Sequence, residues 1–152
     1  MSYAVQVAPL AVRLVDFQGR SSDGTVFLHG PGERAGDAET LGGRLNDPRA
    51  PFLPFRAGDR LELVHLEWVA YVETAASLPE VELRREIGAR RARVELELVT
   101  GERLAGEFVY VLPAGGSRIS DLLNGGGERF LLLVDGETTR YVQRRALVRV
   151  WS

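Results

Sequence analysis

Residues 94–112, VELELVTGERLAGEFVYVL, decide the fold class of this 152-residue chain. Residues 94–98 alternate apolar and acidic side chains, which is the two-residue period of a half-buried strand. Gly101 lies in a turn sequence, and residues 104–112 form a second run rich in β-branched and aromatic side chains. The stretch therefore predicts a β-hairpin and favours a mainly β protein.

A short helix is expected after this hairpin. Residues 113–116, PAGG, end the strand, and Ser117 is placed to cap a helix over residues 118–123. Asn124 and the three glycines after it close that helix. The helix therefore connects the first hairpin to whatever follows the glycines.

A second hairpin ends the chain. Residues 130–134 and 139–151 are its two predicted strands, and they are joined by an Asp-Gly turn. The second of these strands is unusually long. We therefore expect it to bend or bulge near Arg144 and Arg145.

Two parts of the sequence are also similar to each other. The matched anchors are Val12 with Val94 at an offset of 82, Arg44 with Arg118 at 74, and Phe52 with Phe130 at 78. We therefore predict two tandem repeats, residues 1–76 and 92–152, with a linker over residues 77–91 that fits either a helix or a strand. Because one repeat alone has a marginal core, we expect the two to pack together about a pseudo-two-fold axis.

The first repeat has the same predicted order of strands, but its turn signals are weaker. Its predicted strands are residues 11–17, 25–28, 52–55 and 60–74. Residues 30–43 are Gly-rich and lack periodicity, which predicts a mobile loop, and the prolines after Asp47 make any helix there short or absent. The predicted core residues are Val12, Leu14, Phe52 and Val64 in the first repeat, and Val94, Leu96, Phe130 and Val142 in the second.

Two strands, a turn element and two further strands, with the last hairpin ending in the run at residues 141–150, resemble the strand order of a small Sm-like β-barrel. Residues 118–124, RISDLLN, resemble the Arg-aliphatic-x-Asp-x-Leu-Asn signature of an uncharacterised bacterial domain family. This second resemblance covers residues 92–151 and implies no activity. The first repeat departs from it, because residues 46–49 read NDPR. We expect two tandem Sm-like β-barrels packed together, with a short helix in the second.

Composition excludes several kinds of chemistry. All 19 basic side chains other than histidine are arginine, which leaves no lysine for Schiff-base or P-loop chemistry, and without cysteine there is no thiolate or disulfide. The formal net charge of −2 creates no global attraction to nucleic acid or anionic lipid. The arginine, alanine and glycine bias is typical of a high-GC genome. Since no apolar run is long enough to span a bilayer, we expect a bacterial cytoplasmic protein without membrane contact.

The two histidines do not form a recognisable site. His29 and His65 occupy unmatched positions, and His65-x-Glu67 offers at best two ligands on one strand. The serines follow no nucleophile motif. We therefore expect no metal, no cofactor and no enzymatic activity.

The signature segment supplies the first candidate contact residues. Arg118 and Asp121 are three residues apart, so they meet on one helical turn, and Asn124 closes the helix. This structural interpretation accounts for all three polar side chains. The alternative is a ligand or partner site built from Arg118, Asp121 and Asn124.

The last strand supplies the second group of candidates. If no bulge intervenes, Arg145 and Arg149 share one face of it, and Arg140 and Arg144 share the other. Arginine suits contact with oxyanions, whereas interleaved glutamates favour a salt-paired surface. We therefore expect an interaction or assembly module with a protein partner. The alternative is weak nucleic-acid or nucleotide-phosphate binding through these arginines, and a homo-oligomer stays open.

Overall fold

The computed structural model describes residues 7–29, 39–112, 118–125 and 127–152. The chain is 54% strand, which confirms the prediction of a mainly β protein. The strands are β1 (Val7–Asp16), β2 (Ser21–His29), β3 (Phe52–Ala57), β4 (Arg60–His65), β5 (Val69–Thr74), β6 (Arg90–Leu98), β7 (Arg103–Tyr110), β8 (Phe130–Asp135), β9 (Thr138–Gln143) and β10 (Leu147–Trp151). The helices are α1 (Leu41–Leu45), α2 (Pro79–Glu86) and α3 (Ile119–Asn124), and two 3₁₀ turns cover Leu66–Trp68 and Arg144–Ala146.

All ten strands belong to one antiparallel sheet, in the order β10-β6-β7-β8-β9-β5-β1-β2-β3-β4. The expectation of two closed barrels is wrong. Closure of the second half would require β9 to pair with β10, but β9 pairs with β5 of the first half instead. Within the described residues, β10 and β4 each have a strand neighbour on one side only.

The two halves of the sheet repeat one strand order. The first half runs β5-β1-β2-β3-β4 and the second runs β10-β6-β7-β8-β9, so the fifth strand of each half lies beside its first. They join through the fifth strand of one half and the fourth strand of the other. A two-fold relation would bring identical strands together, so this head-to-tail junction shows that the expected pseudo-two-fold axis is wrong.

Gly24 and Gly106 occupy equivalent positions in the two halves, where the second strand of each half meets the third. A Cβ on Gly106 of β7 would lie 2.7 Å from the carbonyl oxygen of Val134 in β8. A Cβ on Gly24 of β2 would collide with the carbonyl oxygen of Arg56 in β3. The second strand of each half therefore approaches the third too closely for any side chain, which explains why both positions are glycine.

The helices correct one part of the internal alignment. α1 and α3 start 78 residues apart, and the same interval relates β3, β4 and the first 3₁₀ turn to β8, β9 and the second. The match of Arg44 to Arg118 at an offset of 74 is therefore wrong. The structural counterpart of Asn124 is Asn46, whereas Arg118 occupies the N-cap position of α3 as Thr40 does for α1.

Helix ends account for two further corrections. The helix expected over residues 118–123 spans Ile119–Asn124 instead, and its N-cap is Arg118, while Ser117, the expected cap, lies outside the described residues. At its other end the cap is Gly125, whose N–H bonds to the Asp121 carbonyl (3.0 Å). Of the expected loop over residues 30–43, residues 30–38 lie outside the described residues. Its end belongs to α1, because the hydroxyl of Thr40 accepts a hydrogen bond from Gly43 N–H (3.0 Å).

The remaining differences concern strand breaks. The single strand expected over residues 60–74 is interrupted by the first 3₁₀ turn, in which Leu66 is fully buried. The expected bend near Arg144 is confirmed as the second 3₁₀ turn. The linker, for which helix and strand were both open, contains α2, which starts at Pro79, a residue suited to the first helical position.

The core is continuous across the junction because β8 is buried on both faces. Phe130, Leu132 and Val134 belong to the cluster of the first half, while Leu131 and Leu133 belong to that of the second. Of the eight predicted core residues, the six that are buried are Val12, Leu14, Val94, Leu96, Phe130 and Val142. Val64 is half-buried, and Phe52 was predicted wrongly, since it is 51% exposed. The first half covers Phe130, whereas no described residue gives Phe52 equivalent cover.

Candidate functional site

The junction between the halves is an antiparallel ladder of β5 and β9. Val72 lies opposite Tyr141, and Glu73 lies opposite Arg140. Arg140 Nε donates to Glu73 Oε1 at 2.7 Å in a partly buried ion pair. The ladder therefore combines backbone hydrogen bonds with a cross-strand pair that fixes its register.

Glu80 of α2 joins three parts of the junction. Its Oε2 accepts hydrogen bonds from the N–H of Gly42 in α1 and from the hydroxyl of Tyr141 in β9, both at 2.9 Å. Burial, reinforced by the nearby Glu80 carboxylate, raises the pKa of Tyr141 well above its ordinary value. A Cβ on Gly42 would lie 2.5 Å from the Tyr141 hydroxyl oxygen, so the close fit requires glycine.

Asn46, just after α1, binds the start of β8 through its side-chain amide. Asn46 Oδ1 accepts from Phe130 N–H (2.8 Å), and Asn46 Nδ2 donates to the Phe130 carbonyl (3.2 Å). Arg129 Nε adds a bond to the carbonyl of Leu45 (3.1 Å). One asparagine thus satisfies both backbone groups of a fully buried residue in the other half.

Gln143, at the end of β9, supports the first 3₁₀ turn from the opposite half. It is almost fully buried, and its Nε2 donates to the carbonyls of Leu66 (3.0 Å) and Val69 (2.6 Å). Sequence reasoning missed Asn46, Glu80, Tyr141 and Gln143. The signal available for Gln143 was a polar amide directly after Tyr141 and Val142 in the last hairpin.

β4, at the outer edge of the first half, exposes apolar side chains on one face. The equivalent face of β9, in the second half, is buried at the junction. Leu63 of β4 is 66% exposed, while its counterpart Tyr141 is 1% exposed. Phe52, stacked on His65 with ring centroids 4.8 Å apart, is half exposed, while its counterpart Phe130 is fully buried. The face of β4 that is equivalent to the buried face of β9 is therefore exposed.

The outer edge of the second half is β10 with the end of α3. Val148 and Trp151 are exposed there, and the Trp151 ring contacts the guanidinium of Arg103 (5.0 Å to the centroid). A pocket of about 370 Å³ lies beside β10. Its lining is Leu123, Asn124, Arg144, Leu147, Val148, Arg149 and Val150.

Three predicted contact residues therefore lie around one pocket: Asn124, Arg144 and Arg149. The structural counterparts of Leu123, Leu147 and Val150 in the first half are Leu45, Val69 and Val72. Those three residues belong to the core cluster that contains Phe130. The pocket beside β10 is therefore equivalent to the part of the first half that packs against Phe130.

The predicted arginines do not share two strand faces, because the second 3₁₀ turn interrupts the strand. Arg140 pairs with Glu73 as described. Arg144 donates to carbonyls at the end of α3, including those of Leu122 (2.8 Å) and Leu123 (2.9 Å). Arg145 lies over the Phe17 ring (5.7 Å to the centroid), and Arg149 is exposed on β10. Two of the four guanidiniums are therefore hydrogen-bonded to groups of the protein itself, and a third lies over an aromatic ring.

The signature segment holds its own helix together. Arg118 N–H donates to Asp121 Oδ2 at 3.0 Å, so the contact between the two residues runs through the backbone of Arg118. Asn124 is exposed at the last position of α3. Asp121 therefore caps α3, and Asn124 faces the pocket beside β10.

A separate groove of about 550 Å³ lies between α2, the end of β7 and α3. Leu83, Ile87 and Val111 line it and are exposed. Among the described residues, no group of three or more histidine and acidic side chains is arranged to hold a metal ion. No helix within the described part of the chain is long and apolar enough to cross a membrane.

Comparison with known proteins gives no relative for this chain. No protein family, no curated protein and no solved structure matches it.

Proposed function

We propose that this chain is a non-catalytic assembly module that joins proteins through the two free edges of its sheet. The observation that carries the proposal is the apolar surface kept at the outer edges, which the equivalent positions bury at the internal junction. Leu63 against Tyr141, and Phe52 against Phe130, show this contrast most clearly.

Strand addition is the recognition mode that suits such edges. An edge strand offers a row of backbone donors and acceptors, and a partner strand that pairs with them gains hydrogen bonds along its whole length. Side chains on alternate positions then supply specificity. β4 has exposed Leu61 and Leu63 on one face, so a partner strand would also bury apolar area.

The Sm-like interpretation belongs to the same proposal. The order β5-β1-β2-β3-β4, in which the fifth strand lies beside the first, supports reading each half as an Sm-like unit opened at its fourth strand. The signature at residues 118–124 supports membership of the uncharacterised bacterial family it resembles. We place the module in a bacterial cytoplasmic complex because the arginine, alanine and glycine bias is typical of a high-GC genome and the sequence contains no cysteine.

The nucleic-acid alternative has less support. Arg84 pairs with Glu128 (3.3 Å), Arg85 pairs with Glu82 (2.8 Å), and Arg140 pairs with Glu73. These glutamates cancel the field that would attract phosphates. Arg149 is exposed, but it lies opposite Glu97 of β6.

In-cell photo-crosslinking tests the proposed function. A photoreactive residue at Leu63 or at Val148 should give a discrete protein adduct, because both side chains lie at free edges. The matched control is Glu82, whose exposed side chain lies on α2 and therefore on neither edge strand. No protein adduct at either edge, or an equal yield at Glu82, would contradict an edge-binding module, and a nucleic-acid adduct would favour the alternative.

A further inference from the structure

The internal junction defines a pairing rule that the two outer edges can satisfy with each other. β5 pairs with β9, and 78 residues relate β5 to β10 and β4 to β9. Among the residues that the structure describes, the strands left without a second neighbour are therefore the counterparts of the two strands that already pair. Because the junction is head to tail, the same contact can repeat between chains.

We propose that the partner at the free edges is a second copy of this chain, with β10 of one copy paired antiparallel to β4 of the other. Transfer of the internal register places Val150 opposite Leu63, and Trp151 opposite Glu62. The proposal rests on the proposed function and names the partner for it.

Apolar burial is the first support for a second copy. On β3 and β4, the outward face presents Phe52, Leu61 and Leu63, all more than half exposed. The counterparts Phe130, Thr139 and Tyr141 are each at most 5% exposed, because the first half covers them. A surface shaped like the edge of the first half would cover this face, and β10 with α3 repeats that edge.

The pocket beside β10 is the second support. Leu123, Leu147 and Val150 line it, and their counterparts in the first half belong to the cluster that buries Phe130. The ring that occupies the equivalent place in a chain-to-chain junction is Phe52. A phenylalanine thus lies exposed at one edge of the sheet, and a pocket lined by both apolar and polar side chains lies open at the other.

Asn124 is the third support. Its counterpart Asn46 binds both backbone groups of Phe130 across the internal junction. In the proposed contact, Asn124 of one copy accepts from the N–H of Phe52 of the second copy, whose Phe52 carbonyl already accepts a hydrogen bond from its own Arg44 (2.6 Å). The amide that ends the signature segment therefore acquires a role that the single chain does not give it.

Sedimentation velocity of the purified full chain tests the proposal, over concentrations from about 1 to about 200 μM. Wild-type chain should exceed the monomer mass as concentration rises, and Leu63→Lys should weaken association by at least about tenfold. Leu83→Lys is the matched control: it removes an equally exposed leucine on α2, and it should leave association unchanged. A monomer throughout, or equal losses in both variants, would overturn the proposal.

A charge exchange tests the register. Trp151→Glu places a carboxylate opposite Glu62 of the second copy, so association should fall by at least about tenfold. Adding Glu62→Arg creates at the outer contact the pair that Glu73 and Arg140 form inside the chain, and it should restore association to within about threefold of wild type. Failure of this rescue, with both variants folded by circular dichroism, would refute the register.

Mixing separates a head-to-tail contact from a two-fold one. Leu63→Lys chains keep an intact β10 end, and Trp151→Glu chains keep an intact β4 end. An equimolar mixture should therefore form a dimer that grows no further, although each variant alone stays monomeric. Mixed chains that remain monomeric would overturn the proposal. If the wild-type chain is monomeric but Leu63 crosslinks to a different protein in cells, this inference fails and the proposed function stands.

Discussion

Substitution of Asn46 by alanine should destabilise the folded chain strongly, whereas the same change at Asn124 should not. Asn46 satisfies the N–H and the carbonyl of Phe130, which has no exposed surface. Each buried group left without a partner costs about 1 to 3 kcal/mol, and water admitted into the vacated space recovers part of this. We therefore expect Asn46→Ala to lower the free energy of unfolding by about 2 to 3 kcal/mol.

Urea denaturation measures this difference. With a slope of about 2 kcal/mol per molar urea, the midpoint should fall by about 1 to 1.5 M while the slope itself stays unchanged. Asn124→Ala alters an exposed side chain and should change stability by no more than about 0.5 kcal/mol at protein concentrations that favour the monomer. A loss below about 0.5 kcal/mol for Asn46→Ala, or equal losses for both variants, would show that the amide does not hold the junction.

Three further results are expected. Gly42→Ala forces a methyl group against the Tyr141 hydroxyl and should cost about 1 to 3 kcal/mol, seen as a lower melting temperature; an unchanged melting curve would contradict the close fit. Because the pKa of Tyr141 is raised on folding, unfolded chains lose that proton first, so stability should fall above about pH 10 by about 1.4 kcal/mol per pH unit for each such tyrosine. Tyr141→Phe should remove its share of that slope, and an identical alkaline profile would refute this reasoning. In anisotropy titrations nucleic acid should bind no more tightly than about 10 μM, and submicromolar binding abolished by Arg144→Glu with Arg145→Glu would reverse our order of functions.

Local patterns in the sequence predicted the strands and the two hairpins of the second half, which the pairings of β6 with β7 and of β8 with β9 confirm, but not the pairing between the halves. The alternation at residues 94–98 and the apolar run at residues 130–134 identify β6 and β8 because side-chain period depends only on near neighbours. The pairing of β5 with β9 joins residues about 70 positions apart, with no local signal. The sequence therefore indicated two β units, while the junction that replaces two closed barrels required the structure.

The candidate site was likewise predictable from the sequence only in part. Phe52 and Phe130 occupy equivalent positions, so the sequence predicted equal burial, but only Phe130 has a covering half beside it. Asn46 was overlooked because the resemblance of residues 44–47, RLND, to residues 118–121, RISD, suggested the wrong offset. Helix positions corrected it and matched Asn46 to Asn124. Asn124 was a predicted contact residue, and the structure places it beside the open pocket.

Burial of β8 on both faces has a consequence for synthesis on the ribosome. The cluster of the first half is completed by Phe130, Leu132, Val134 and Tyr141, which are translated after the whole of the first half. A nascent chain that has emerged only as far as β5 therefore lacks part of its own core and cannot reach its final packing. Domains that fold as independent units do so in order of emergence. Here the amino-terminal half must wait for the carboxy-terminal half, so the chain should acquire protease resistance in a single step that follows the synthesis of Tyr141.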